Sequence, residues 1–140
     1  MSYTKIWIHA VWGTKHRFPF LTKEIKSKVI EHIIENAKSK EIYINRLNGH
    51  TEHLHALISL KRDMSVSKAM QLIKGESAFW INKNNITSMK FEWADEYFAV
   101  SVSESHLNRV RAYIDNQEEH HRKKTFADEY EQFIRIHQAA

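Results

Sequence analysis

The sequence predicts an α+β fold, an antiparallel sheet carrying helices in the order β-α-β-β-α-β with further helices at the C-terminal end. Two observations predict it. Segments of period-two alternation are interleaved with segments whose apolar residues recur every three or four positions. No linker-like or repetitive stretch divides the 140 residues, of which 42% are hydrophobic and 11% aromatic, so residues 1–140 read as one domain with a core of its own.

The elements follow in order. Residues 3–12 alternate, with Thr4, Ile6, Ile8, Ala10 and Trp12 on one side, and predict a first strand. A turn is expected at Gly13 and around Pro19, and Thr22 is a fitting N-cap for a helix running to about Lys40 with Ile25, Val29, Ile33 and Ala37 on one stripe. Ile42 to Leu47 reads as the second strand, Asn48-Gly49 as a hairpin turn, and Glu52 to Leu60 as the third strand. Ser65 opens a second helix that carries Ala69, Met70, Ile73 and Trp80, and Asn82 to Ser88 is a polar loop. Tyr97 to Ser103 is the fourth strand, Glu104 to Glu119 a third helix, and Phe126, Tyr130, Phe133 and Ile134 mark a last short helix. This order is that of the ferredoxin-like split arrangement, with helices expected on one face of the sheet, and it leaves function open.

Composition narrows the class of function. No apolar run approaches the length of a membrane span, and the N-terminal residues lack the charged start, apolar stretch and cleavage site of a signal peptide. Without cysteine there is no disulfide, thiolate metal site or cysteine nucleophile, so a cytoplasmic protein without a membrane partner is expected. The net charge of +4 is unevenly spread: residues 1–50 hold nine Lys and Arg against four Asp and Glu, whereas 51–100 balance and 101–140 are slightly acidic. A concentrated basic excess suits a polyanion such as nucleic acid, though a charge this mild also suits an ordinary solvated surface.

Two constellations carry chemistry. In His53-Leu54-His55 the imidazoles share one face of the predicted strand while Leu54 faces the other layer, so both can reach one divalent ion. Ten His in 140 residues would give about 0.7 such pairs by chance, so two histidines on a half-solvated strand remain an alternative. In the third helix Leu107, Val110 and Ile114 form the apolar stripe, and Tyr113 and Gln117 are i, i+4 neighbours on its flank together with His106 and His120. A boundary tyrosine packing its ring beside a solvated glutamine is the plainer alternative. Taken together, the pieces suit phosphoryl chemistry. A tyrosine hydroxyl, with a pKa of about 10, is a weak nucleophile at neutral pH. A divalent ion beside a scissile phosphate neutralises oxygen charge and orients the group. Two His and a Gln are an uncharged ligand set that leaves positions for phosphate oxygens.

These residues resemble a known family. His53-Leu54-His55 is similar to the HUH motif (His, hydrophobic, His), and Tyr113 with Gln117 resembles the single-tyrosine helix of the HUH transposases. These are the small transposases of minimal bacterial insertion sequences and their repeat-associated relatives. The resemblance extends over most of the chain, through Ala10-Val11-Trp12-Gly13-Thr14-Lys15-His16-Arg17, Leu72-Ile73-Lys74-Gly75-Glu76-Ser77 and Glu96-Tyr97-Phe98-Ala99-Val100-Ser101-Val102-Ser103. It implies that Tyr113 attacks a phosphate in single-stranded DNA, forming a 5′-phosphotyrosine link and releasing a 3′-hydroxyl, with strand transfer then needing no ATP. It also implies that His53, His55 and Gln117 hold Mg²⁺ or Mn²⁺, that no organic cofactor is used, and that a homodimer acts on DNA hairpins in the bacterial cytoplasm, near the nucleoid.

For DNA contact, Trp12, Lys15, His16 and Arg17 combine cations for phosphates with aromatic surface for bases; Lys61, Arg62 and Lys74 are weaker candidates. His50, His106, His120 and His121 are alternative ligands, and Tyr3, Tyr43, Tyr97 and Tyr130 are the other tyrosines, none with Gln four residues on. Two other functions are consistent with the same residues: a hairpin-binding module without catalysis, and a metal-dependent phosphodiesterase that activates water.

Overall fold

The computed structural model describes residues 2–117 and 126–138. Strand β1 (Ile6–Thr14) leads through a 3-10 turn (Lys15–Arg17) to helix α1 (Lys23–Ser39); β2 (Tyr43–His50) and β3 (His53–Leu60) form a hairpin. Helix α2 (Val66–Lys83) crosses back to β4 (Trp93–Ser101), and a 3-10 turn (Glu104–His106) opens α3 (Leu107–Asp115). A final helix, α4, spans Phe126–Gln138. The sheet is wholly antiparallel with strand order β2-β3-β1-β4. Each of α1 and α2 thus links two strands that run the same way with a third between them, as the element order predicts. No helix among the described residues is long and apolar enough to cross a membrane.

Because successive strand residues face opposite ways, β1 and β3 are largely buried on both sides and feed two cores. On one face Ile8, Ala10, Trp12, Leu54, Ala56 and Ile58 pack beneath α1 and α2 through Val29, Ile33, Met70 and Ile73. On the other, Trp7 and Leu57 pack with Val102, Leu107, Val110, Tyr113 and Ile114 of the α3 region, joined by Ile136 of α4. The two helices of the split arrangement, α1 and α2, thus share one face as expected, and the added C-terminal helices α3 and α4 cover the other.

The hairpin is a correction. Asn48-Gly49, a strong hairpin signal, lies inside β2, where Asn48 pairs with His55 and Gly49 with Leu54; Thr51-Glu52 makes the turn. Gly49 is there for space rather than for a turn. A Cβ at Gly49 would lie 2.1 Å from the His53 carbonyl oxygen and 2.8 Å from the Leu54 Cα. A register shift between Ile44 and Arg46 lets both Ile44 and Leu47 reach the same core despite their odd separation.

Smaller differences concern boundaries. Thr22 occupies the N-cap of α1 without a side-chain cap bond, whereas Ser65 accepts from the Lys68 amide and closes the N-terminus of α2. Gly13 continues β1, and the chain turns at His16 and Arg17, both at a φ of 56°. Strand β4 begins at Trp93, earlier than the alternation suggested, and α2 runs on to Lys83. The third helix ends at Asp115, with Asn116 leaving helical geometry, so Gln117 follows a turn; residues 118–125, which include His120 and His121, lie outside the described residues.

Candidate active site

Strand alternation sends His53 and His55 to the α3 side of the sheet, where they are 2% and 0% exposed, with ring centroids 5.1 Å apart. Leu54 between them enters the opposite core. Helix α3 is fixed over this face by its apolar stripe and by polar ties to β2. The Asn48 side-chain amide donates to the Ile114 carbonyl at 3.0 Å, and Arg111 Nε donates to Asn45 Oδ1 at 2.7 Å. That placement brings the Tyr113 ring edge-on to His55, at a centroid distance of 5.4 Å. Gln117 folds back over the last turn and its Nε2 donates to the Tyr113 carbonyl at 3.2 Å. Tyr113 and Gln117 are both buried, so neither is a boundary residue. Phe133 of α4 closes the cluster from above, with its ring 4.9 Å from that of His9.

The turn before His53 is held from three sides. The Thr14 amide donates to the Glu52 carbonyl at 2.9 Å, the Leu21 amide to the Thr51 carbonyl at 2.8 Å, and the buried Lys26 Nζ to the Gly49 carbonyl at 2.9 Å. The Glu52 carboxylate then accepts from Arg17 at 2.8 Å, from Thr51 Oγ1 at 2.8 Å and from His53 Nδ1 at 2.8 Å. Burial alone would raise the Glu52 pKa, but the hydrogen bond and charge of His53, with bonds from Thr51 and His50, outweigh it. The carboxyl is held well below the usual range.

The same contacts decide which nitrogens the two histidines offer. His53 Nδ1 is engaged by Glu52, and His55 Nδ1 lies 2.9 Å from His9 Nε2, so Nε2 is the nitrogen each ring would turn to a ligand. Two imidazoles on one strand face, each oriented through its other nitrogen, fit a divalent ion. Among the described residues no three His, Asp or Glu side chains gather as a metal site.

The expected DNA contacts divide. Trp12 is a correction: it is 1% exposed, edge-on to Trp93 in the core, and cannot serve as a stacking surface. Phe18, 43% exposed and 4.5 Å from the Phe20 ring, presents aromatic surface in the same segment instead. His16 is exposed, Lys15 pairs with Glu92 at 2.8 Å, and Arg17 is drawn to Glu52. With His53, Thr14 and Tyr97, residues His16 and Arg17 line a cavity of about 230 Å³ beside the histidine pair. Lys61 pairs with Glu41 at 2.5 Å, and Arg62 is exposed. Lys74 is a tie within the fold, its Nζ donating to the Ala94 and Asp95 carbonyls at 2.7 and 3.1 Å. Of the alternative ligands, His50 contacts Glu52 at 3.4 Å and His106 contacts Ser103 at 2.8 Å.

Sequence reasoning missed His9 and Glu52. His9 is fully buried and contacts His55, His137 and the Tyr113 ring. Its signal was present: it is the one histidine in a strand apolar on both faces, and a buried polar ring requires partners. Glu52 was legible only as a neighbour of His53, because strand alternation would have sent it to the other face.

No curated protein matches the chain. Among solved structures it is similar to a transposase candidate from Deinococcus radiodurans R1, with a TM-score of 0.67 and 21% identity, covering 83% of this chain and 93% of that one. It is also similar to a REP-associated tyrosine transposase solved with a REP hairpin, with a TM-score of 0.66 and 17% identity, covering 87% and 72% of the two chains. At such identities these likenesses show the fold. The family itself is shown by the model for IS200-like transposases, which matches residues 2–117 and so takes in β1, the histidine pair, Tyr113 and Gln117. The chain belongs to the IS200-like transposase family.

Proposed function

We propose that this transposase cuts and rejoins single-stranded DNA through Tyr113. The observation that carries the reading is the buried contact of His55 with Tyr113, ring centroids 5.4 Å apart, which joins the histidine pair of β3 to the tyrosine of α3. In the proposed step the Tyr113 Oη forms a bond to a backbone phosphorus and loses its proton. The phosphorus–O3′ bond breaks, and the departing 3′-oxygen gains a proton. The phosphodiester is conserved as a 5′-phosphotyrosine, and attack by another 3′-hydroxyl reverses the step on a new strand. Nothing is hydrolysed.

His53, His55 and Gln117 would hold the divalent ion, Mg²⁺ or Mn²⁺, which supplies charge neutralisation and orientation at the phosphate when bound. The remaining work falls to the chain. Glu52 and His9 orient the two imidazoles through Nδ1, and packing of α3 on β2 and β3 fixes the tyrosine against them. His16, Lys15, Arg17 and the exposed Phe18 form the DNA contact beside the histidine pair, with Lys61 and Arg62 as outlying cations. The similar transposase solved with a REP hairpin supports hairpin-bearing DNA as the substrate class. Homodimerisation belongs to the same reading and is tested by sedimentation of the protein with and without DNA.

The experiment mixes the protein with labelled single-stranded DNA from the gene's own flanks and Mn²⁺, and resolves the products on denaturing gels. A protein–DNA adduct in wild type, absent from Tyr113→Phe and from His53→Ala/His55→Ala, is the expected result. Cleavage that survives in Tyr113→Phe means water is the nucleophile. Hairpin binding without cleavage means a recognition module.

A further inference from the structure

We infer that His9 is a positioning residue for the site: it fixes the tautomer and orientation of His55 through a chain of three histidines that ends on α4. The inference rests on the proposed use of His53 and His55 as ligands, and it adds residues that neither the motif nor the tyrosine helix contains.

The geometry gives the chain a direction. His55 Nδ1 lies 2.9 Å from His9 Nε2, and His9 Nδ1 lies 2.6 Å from His137 Nε2. Both His9 and His55 are 0% exposed, so water does not compete for these nitrogens. A neutral imidazole has one donor and one acceptor nitrogen, and each contact needs one of each. If His55 is to offer the Nε2 lone pair to an ion, its proton sits on Nδ1 and is donated to His9 Nε2. His9 then carries its own proton on Nδ1 and donates it to His137 Nε2. His137 can accept, because burial, with the charges of His106 and Arg109, lowers its pKa to about 4 and keeps it neutral near pH 7. Every proton in the chain is therefore assigned by one requirement at His55.

The packing around His9 shows why it holds still. Its ring meets Phe133 at 4.9 Å, Tyr113 at 6.0 Å and His55 at 5.1 Å, so it is wedged between α3, α4 and β3. His53 is served by Glu52 in the same manner, so the two ligand candidates have different orienting partners: a carboxylate for one, an imidazole chain for the other. An imidazole orients His55 without adding negative charge next to a phosphate. His137 makes the arrangement depend on α4, an element 128 residues from His9 in sequence.

The test reads the tautomer directly. In metal-free protein labelled with ¹⁵N-histidine, two-bond ¹H–¹⁵N correlation spectra, with His55 assigned by its loss in His55→Ala, should show His55 protonated on Nδ1. His9→Phe keeps a ring of similar size but removes both nitrogens. It should move His55 toward the Nε2–H form and weaken Mn²⁺ binding, measured by calorimetry, by about 10-fold or more. His9→Gln, whose side-chain oxygen can accept from His55 Nδ1, should recover most of that affinity. His137→Phe, at the half-buried end, should shift both readouts in the same direction by less. An Nε2–H His55 in the wild-type spectrum overturns the proposal without any variant. So does an unchanged tautomer and Mn²⁺ affinity in His9→Phe. Failure of the metal reading is a separate result: wild type would then bind Mn²⁺ no more tightly than His53→Ala/His55→Ala, whatever tautomer His55 shows.

Discussion

Glu52 Oε1 and His53 Nδ1 lie 2.8 Å apart where the hairpin turn enters β3, and the same oxygen accepts from Arg17 Nη2 at 2.8 Å. One carboxylate therefore ties the first of the two histidines to the segment proposed to meet DNA. Glu52→Gln keeps the shape and removes the charge. It should cost about 2 kcal/mol of stability, the scale of a charged hydrogen-bond acceptor, and weaken Mn²⁺ binding about 10-fold. Urea unfolding and calorimetry check the two parts separately. A variant as stable and as tight-binding as wild type would mean that Glu52 is a surface pair of little consequence.

The two glycines of opposite environment make a second prediction. Gly49→Ala places a Cβ 2.1 Å from a backbone carbonyl oxygen, which no rotamer change relieves, so the hairpin must shift. A loss of about 3 kcal/mol is expected, with the histidine pair displaced as its neighbour in register moves. Gly75 lies inside α2, and a Cβ there meets nothing within 4 Å. Gly75→Ala should gain about 0.5–1 kcal/mol, from helix propensity alone. Denaturant midpoints of the two variants should move in opposite directions.

Much of this was legible in the sequence because it depends on short-range rules. The order of elements, the shared face of His53 and His55, and the i, i+4 relation of Tyr113 to Gln117 follow from strand and helix periods. What was not legible depends on pairing across the sheet. Asn48-Gly49 looked like a turn because local chemistry favours one; only the register shift near Asn45 and the close approach of Gly49 to β3 explain why the turn falls at Thr51-Glu52. Trp12 looked like a stacking surface beside its basic neighbours, but its even phase on β1 was already the core phase. His9 acquires its meaning from a histidine on the last helix, which no local pattern connects to it.

The cations expected at DNA should separate by their present partners. Lys15 is exposed and paired only across the surface with Glu92, so it can be redirected to a phosphate at little cost. Lys15→Ala should weaken single-stranded DNA binding evenly across sequences and lower the salt slope by about 0.7 for one lost phosphate contact. Lys74 holds the start of β4 through carbonyls at 2.7 and 3.1 Å, and burial lowers its pKa. Lys74→Ala should lower the melting temperature while leaving the salt slope unchanged. Fluorescence anisotropy across a salt series, beside thermal melts, distinguishes the two.

His137 predicts how stability depends on pH. Its native pKa is lowered to about 4, first by burial and then by the charges of His106 and Arg109, whereas an unfolded histidine titrates near 6.5. Above pH 6.5 the ring is neutral in both states and its contribution is constant. Between about 6.5 and 4 the unfolded chain takes up a proton that the native state refuses, so stability falls as pH falls. Below about 4 both forms are protonated and the loss is complete. Because the ring is only half buried, solvent screening reduces the expected loss to about 1–2 kcal/mol. His137→Gln removes the proton-binding site, so urea unfolding from pH 7 to 4 should show a shallower decline in the variant by that amount. Parallel curves for the two proteins would mean that α4 does not hold His137 against His9 in solution.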